Sequence, residues 1–259
     1  MRTQAKNFIG NTYFIYSLGI IFIFCIWFIV SLSVGGGSYY FPSPIDTFKK
    51  LGELLSGSYI YKGIGWSLLR SLIGFSSAFL AALILGTIAG QYNKVYLFLK
   101  PIMLVAKSIP TAALVFIFLA WSGTKFAPVY IVFLIAFPIL YESIAGGMHN
   151  VSQEIIDSAR LDGARFFGTA FKVRLPLALP YVIIGFTSTF ALSLKTEIMA
   201  EIITGDTGFG LGCTIVAYRY IDPSNLTPVF AVAFITLFFI LIFDLIGMLV
   251  KKYIKLDDK

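Results

Sequence analysis

The sequence predicts an all-α membrane protein. Of its 259 residues, 58% are hydrophobic and 13% are charged, which is too apolar for a soluble domain of this length. Several apolar runs also reach the length of about 20 residues that an α-helix needs to cross a bilayer core. We therefore predict one polytopic transmembrane domain over residues 1–259. Its six predicted spans are residues 13–34, 67–90, 97–121, 128–147, 176–194 and 227–250.

The first apolar run is interpreted as a retained anchor. It follows Arg2 and Lys6 and continues into three glycines without a small-x-small cleavage site, whereas a cleaved signal peptide has a shorter apolar core. The outer segment 38–61 then predicts a short interfacial helix, because apolar residues recur there at helical spacing with charged residues between them. Its apolar positions are Phe48, Leu51, Leu54 and Leu55.

The distribution of Lys and Arg orients the chain. With the N- and C-termini in the cytoplasm, the inner loops carry most basic residues, as the positive-inside rule requires. The outer side then holds Lys49, Lys50, Lys62, Arg70, Lys125, Lys195 and Arg219. The net charge of +7 is explained by this topology, so nucleic-acid binding is not predicted.

The loop of about residues 148–175 is predicted to be cytoplasmic and to dock a partner. Arg160, Arg165 and Arg174 cannot lie in hydrocarbon, yet the loop has too many apolar residues for a solvated segment. Those residues recur at helical spacing and predict two short amphipathic helices broken near Gly163. They are Ile155, Ile156, Ala159, Leu161, Phe166, Phe167 and Phe171.

Motifs for independent chemistry are missing from the sequence. It contains no Gly-x-x-x-x-Gly-Lys-Ser/Thr phosphate loop, so an energy source is expected in another subunit. The glycines of segment 205–212 are interpreted as sites of backbone bending or close packing. Cys25 and Cys213 are interpreted as packing residues, and no ligand set predicts a metal site. Gly86-x-x-x-Gly90 permits close contact between helices. Dimerisation of the protein through this pattern is the less favoured interpretation.

One ionisable set lies close to the membrane core: Lys195, Glu197 and Glu201. Charges at such depth are costly unless they are paired or face a water-filled path. Two interpretations have equal weight, a lining or gate of a translocation pathway and a set of structural ion pairs. Asp244 is interpreted as structural, because a proton relay needs several partners.

The cytoplasmic loop resembles a known family, the permease subunits of bacterial binding-protein-dependent ATP-binding-cassette (ABC) importers. Their motif reads Glu-Ala-Ala, three residues, Gly, nine residues, Ile-x-Leu-Pro. The matching positions here are Asp157, Ser158, Ala159, Gly163, Val173, Leu175 and Pro176. Asp157, Ser158 and Val173 depart conservatively from the motif. Flanking sequences such as Pro42-Ser43-Pro44 and Gly208-Phe209-Gly210 resemble the branch that imports nitrate, sulfonates and taurine, whose other members carry thiamine precursors, riboflavin or aromatic acids.

The resemblance implies a type I importer permease in the bacterial cell membrane, in which the matching loop residues couple the bundle to a separate ATPase subunit. This chain would then be no enzyme and hold no cofactor, since ATP and Mg belong to the ATPase. Further implied partners are an extracytoplasmic solute-binding protein and a second permease, identical or similar. From a different class, an ion-gradient-driven secondary transporter is disfavoured, because no inverted repeat is evident and charges at mid-membrane are scarce.

Overall fold

The structure, a computed structural model, describes residues 2–34, 41–165 and 167–253, and no strand occurs among them. Side chains are described for residues 15–34, 41–159, 161–165 and 167–249. The elements are α1 (Arg2–Ser33), α2 (Pro44–Ser56), α3 (Ser58–Gln91), α4 (Asn93–Ser108), α5 (Thr111–His149), α6 (Gln153–Leu161), a π-helical segment (Gly168–Arg174), α7 (Leu175–Thr204), α8 (Leu211–Ile221) and α9 (Thr227–Tyr253). The all-α prediction is confirmed.

The chain forms two compact units. One comprises residues 1–58 and 217–235, and the other comprises residues 59–216 and 236–259. Five helical stretches in the described part of the chain are long and apolar enough to cross a membrane. They are residues 15–33, 58–91, 111–149, 168–204 and 227–249. The predicted spans at 13–34, 67–90, 176–194 and 227–250 coincide with four of them.

The predicted third span, 97–121, is not a single helix. α4 ends at Ser108, and Ile109 is extended at φ −72° and ψ 128°. The cause is Pro110, because the proline ring disfavours the α conformation at the residue before it. The remainder of the predicted span belongs to α5, which itself is interrupted at Gly123, at φ 73° and ψ 177°.

The chain reverses direction at Gly123. The rings of Phe118 and Tyr130 stack with centroids 5.7 Å apart. In a continuous helix, residues twelve apart are separated by about 18 Å. Further from the turn, Lys107 of α4 pairs with Glu142. The second part of α5 therefore runs antiparallel to its first part and to α4. α4 and the first part of α5 together take the place of the predicted third span, 97–121, which is two helical pieces and not one.

Small residues of α3 let α5 approach closely. A Cβ atom at Gly74 would lie 2.7 Å from the backbone oxygen of Val129, and one at Gly90 would lie 2.7 Å from the Cβ of Met148. The Gly86-x-x-x-Gly90 pattern therefore serves packing within this chain. Such close backbone contact is the usual source of helix association in membranes.

In the smaller unit, α2 is a helix at the place where the sequence predicts the short interfacial helix. The hydroxyl of Ser43 accepts a hydrogen bond from the Asp46 amide at 3.1 Å, and Pro44 occupies the first turn, where its missing amide costs nothing. Trp27 of α1 donates from Nε1 to the carbonyl oxygen of Pro42 at 3.1 Å and stacks on Phe234 at 5.4 Å. α1 is thus held next to the start of α2.

We expect Gly74→Ala to destabilise the protein and Gly65→Ala to leave its stability unchanged or slightly raised. A methyl group at residue 74 meets a backbone oxygen that cannot move without shifting α5, at a cost of about 1–3 kcal/mol. Gly65 lies in the same helix with no atom within 4 Å of the added position. Thermal unfolding in detergent measures the difference, and equal melting temperatures for the two variants would contradict the close α3–α5 contact.

Candidate functional site

The predicted break near Gly163 is confirmed and has a defined geometry. α6 ends at Leu161, and Gly163 adopts a positive φ of 89°. The amide of Ala164 donates to the carbonyl oxygen of Ala159 at 3.0 Å. A left-handed residue followed by this long-range bond is the Schellman motif, which favours glycine because a side chain is strained at such φ. The turn thus ends α6 and redirects the chain.

The second predicted helix is present as a π-helical segment that continues directly into α7. Leu175 is the first residue of α7 and Pro176 lies in its first turn, as the sequence predicted. Arg174 is buried, and its guanidinium donates to the carbonyl oxygen of Gly90. Nε2 of His149 lies 3.2 Å from the carbonyl oxygen of Ala89. Both contacts fall at the C-terminus of α3, where the last carbonyl oxygens of a helix have no partner within the helix.

We refer to residues 153–174 as the coupling segment. Its surface carries a groove of about 450 Å³ that contains three of the seven motif positions. The lining residues are Glu154, Ile155, Ser158, Ala159, Asp162 and Val173. Asp157 is exposed and accepts a hydrogen bond from Nε2 of Gln153 at 2.9 Å. Leu175 packs against the main core cluster instead, and Phe166 lies outside the described residues.

Large apolar side chains of the coupling segment are exposed. Leu161 is 90% exposed and Phe167 is 72% exposed, while Ile155 and Phe171 are each 47% exposed. Among the large apolar residues that were predicted in this segment and are described, only Ile156 is buried, with 1% of its surface exposed. Exposed apolar side chains on a segment that is too basic for hydrocarbon are typical of a docking surface.

A second site surrounds Glu201, which is 1% exposed. The hydroxyl of Ser67 and Nη1 of Arg70 reach its carboxylate at 2.8 Å, and the amide of Gly212 donates to it at 2.8 Å. Nη1 of Arg70 also donates to the carbonyl oxygen of Phe209 at 3.0 Å. The carboxylate therefore joins α3, α7 and the N-terminus of α8, where unpaired amides favour an anion.

The glycines after α7 make this contact possible. Gly205 ends α7 in the left-handed region, at φ 69°. A Cβ atom at Gly212 would lie 2.6 Å from the Cβ of Glu201, so only glycine lets the amide reach the carboxylate. The glycine-rich segment serves bending and close packing, as predicted. Cys213 is buried beside it, whereas Cys25 is exposed, so the packing interpretation is wrong for Cys25.

The predicted set of Lys195, Glu197 and Glu201 does not form one cluster. Glu197 is fully buried, and neither of its carboxylate oxygens has a hydrogen-bond partner in the described structure. Lys195 is exposed and makes no hydrogen bond or ion pair with any described residue. The partners of Glu201 were missed by sequence reasoning, which had placed Arg70 among the outer-loop charges. The sequence did contain a signal for this site: Ser67 and Arg70 are three residues apart and therefore lie on one face of a long apolar helix, where a buried acidic partner is expected.

The exposed amphipathic segment that continues into a membrane-length helix fits the membrane transport permease that the sequence predicted. The family model described as "Binding-protein-dependent transport system inner membrane component" matches residues 78–255, and the chain belongs to this family. It is accordingly a multi-pass inner-membrane permease of the ABC transporter type.

Curated relatives cover most of the chain. A putative aliphatic sulfonates transport permease protein of Bacillus subtilis is 24% identical over 219 residues, covering 84% of this chain and 75% of the relative. A nitrate import permease protein of Leptolyngbya laminosa is 26% identical and covers 83% and 80%. A bicarbonate transport system permease protein of Synechococcus elongatus is 29% identical and covers 74% and 73%.

Solved structures show the same fold. An amino acid ABC transporter matches with a TM-score of 0.64 at 16% identity, covering 80% of this chain and 97% of that chain. The methionine ABC transporter MetNI in an inward-facing conformation matches with a TM-score of 0.64 at 19% identity, covering 75% and 95%. The predicted type I ABC importer permease fold is confirmed.

We expect Glu201→Gln to destabilise the protein strongly and Glu197→Gln to be tolerated. The first change leaves the guanidinium of Arg70 without its counter-ion, at a cost of about 3–5 kcal/mol for a buried pair. The second replaces a buried carboxylate that has no partner with a neutral group of the same shape. Melting temperatures of the purified variants test this. An equal fall in melting temperature for both variants would contradict the different roles of the paired Glu201 and the unpaired Glu197.

Proposed function

We propose that this chain is the transmembrane subunit of an ATP-driven importer for a small solute such as nitrate, a sulfonate, taurine or a similar molecule. The solute class is supported by the relatives whose names specify sulfonates, nitrate and bicarbonate. A thiamine precursor, riboflavin or an aromatic acid fits the same architecture and is the alternative.

The exposed coupling segment carries this proposal. It offers a shallow groove and exposed apolar side chains to a separate ATPase subunit, which holds ATP and Mg and performs the hydrolysis. Asp157, Ser158, Ala159, Gly163, Val173, Leu175 and Pro176 form or frame this contact. The π-helical part of the segment, Gly168–Arg174, runs directly into α7, and Arg174 fixes this junction to α3 at Gly90. Movement of the docked segment therefore moves the bundle helices.

The permease itself needs only two conformations of similar free energy. ATP binding to the ATPase and docking of a loaded extracytoplasmic solute-binding protein each favour one of them by differential affinity. Two copies of this chain, or this chain with a similar permease, enclose the pathway within the lipid bilayer, with both termini in the cytoplasm.

Replacing Gly163 with Val is expected to lower ATPase binding and ATP-driven uptake by about tenfold, since about 1–2 kcal/mol of strain accompanies a left-handed conformation at a residue other than glycine. A Cβ atom there would meet nothing within 4 Å, so the effect comes from the backbone conformation and not from crowding. Gly168→Ala is the control, because its added atom makes an ordinary contact at 3.5 Å with Ala164. Normal binding and uptake by Gly163→Val would remove the coupling role of this turn.

Leu161→Ser is expected to weaken co-purification with the ATPase without lowering the melting temperature of the permease. Its side chain is 90% exposed and adds no core packing, while a docked apolar anchor typically contributes about 2 kcal/mol or more to binding. Ile221→Ser, at a 79% exposed position at the end of α8, is the matched control. Undiminished ATPase capture by the Leu161 variant would show that this surface is not the docking site.

A further inference from the structure

One face of α7 is left uncovered by the described chain. Exposed residues recur along it every three or four positions, which places them on a single stripe of the helix. The stripe consists of Leu177, Tyr181, Ile184, Ser188, Leu192 and Lys195. In the second half of α7 the opposite face is buried and includes Glu197 and Glu201, whereas Leu179 and Phe186 on that side of the first half are exposed. α7 thus presents two sides of different character within one membrane span.

Contact with lipid would explain the apolar residues of the stripe but not Lys195, because a charged side chain is costly in hydrocarbon. Lys195 lies nine residues before the end of α7, about 14 Å along the helix axis, and the exposed apolar residue Ile202 follows it on the same face. Ionisable residues within spans almost always face the bundle interior or a water-filled path, because a charge is costly in hydrocarbon. Lys195 lies one residue past the predicted span 176–194 but inside the membrane-length helix 168–204, and no described residue covers or pairs with it. A water-filled path at this depth would solvate its charge.

The stripe carries positive charge only. Glu197, two residues further along α7, points about 200° away around the helix and is fully buried. Glu201 is buried as well and bound to Arg70. The stripe contains no acidic residue, so Lys195 determines its electrostatic potential. In a pair of identical permeases that face each other, two such lysines would act on the same path.

We propose that this stripe lines the solute pathway and that Lys195 makes the pathway selective for small anions, inorganic or organic. Rings of Lys or Arg select anions in pores by attraction at short range, and the field of a cation is stronger between low-dielectric walls. The inference rests on the proposed permease function and extends it by assigning the charge of the solute to one residue of this chain.

The test measures charge selectivity at a reporter cysteine and needs no knowledge of the solute. In the complex with its ATPase, Cys25→Ser and Cys213→Ala remove the native thiols, and Ser188→Cys places a reporter on the stripe about 10 Å from Lys195. A sulfonate-bearing and a trimethylammonium-bearing methanethiosulfonate then give two labelling rates in membranes. We expect the ratio of the anionic to the cationic rate to fall about fourfold or more with Lys195→Gln and to be retained with Lys195→Arg.

Two results would overturn the proposal: no labelling of the reporter by either reagent, or a rate ratio that is the same with Lys, Arg and Gln at residue 195. Ile184→Cys, one turn away on the same stripe, repeats the measurement if Ser188→Cys does not assemble. ATPase capture by the same membranes is measured in parallel. If the unsubstituted chain captures no ATPase, the permease function itself is refuted. If it captures the ATPase but the ratio of labelling rates does not depend on the charge at residue 195, only the role of Lys195 is refuted.

Discussion

The organising constraint of this protein is that a bilayer offers no hydrogen-bond partners, so each polar group in a span must be satisfied by the chain or must face water. Glu201 meets this constraint with Ser67, Arg70 and the amide of Gly212. At the other end of α3, Arg174 meets it at the carbonyl of Gly90. These two polar contacts bracket the apolar core and fix α3, α7 and the N-terminus of α8 to one another.

Two sets of exposed side chains, apolar ones on the coupling segment and one lysine on α7, are the ones with a functional interpretation. The coupling segment exposes Leu161 and Phe167 to water because their partner is proposed to be a separate subunit. Lys195 is exposed on a span for the corresponding reason, a proposed water-filled path. α7 connects the two, since it begins where the coupling segment ends and carries the lysine near its other end. We propose that a displacement at the docked end is transmitted along this helix.

Local signals made much of the fold predictable from the sequence. Ser43 and Pro44 specify the start of α2, Gly163 specifies the turn after α6, and Pro176 specifies the first turn of α7. The pairing of Arg70 with Glu201 was not predictable in this way, because it joins residues 131 positions apart in the chain. The break at Pro110 had a visible signal, but the length of the apolar run favoured one continuous span. The reversal at Gly123 required contacts that only the folded chain shows.

We propose that the coupling segment binds a nucleotide-hydrolysing subunit on the cytoplasmic side. The most direct test of this binding is photocrosslinking from a photoreactive amino acid placed at Phe167 in intact cells. We expect a covalent product between this chain and the ATPase subunit, and no such product from Phe238, a similarly exposed residue of the α9 span. Crosslinking from Phe167 to lipid or to an extracellular protein, with no ATPase adduct, would show that the segment does not bind this subunit.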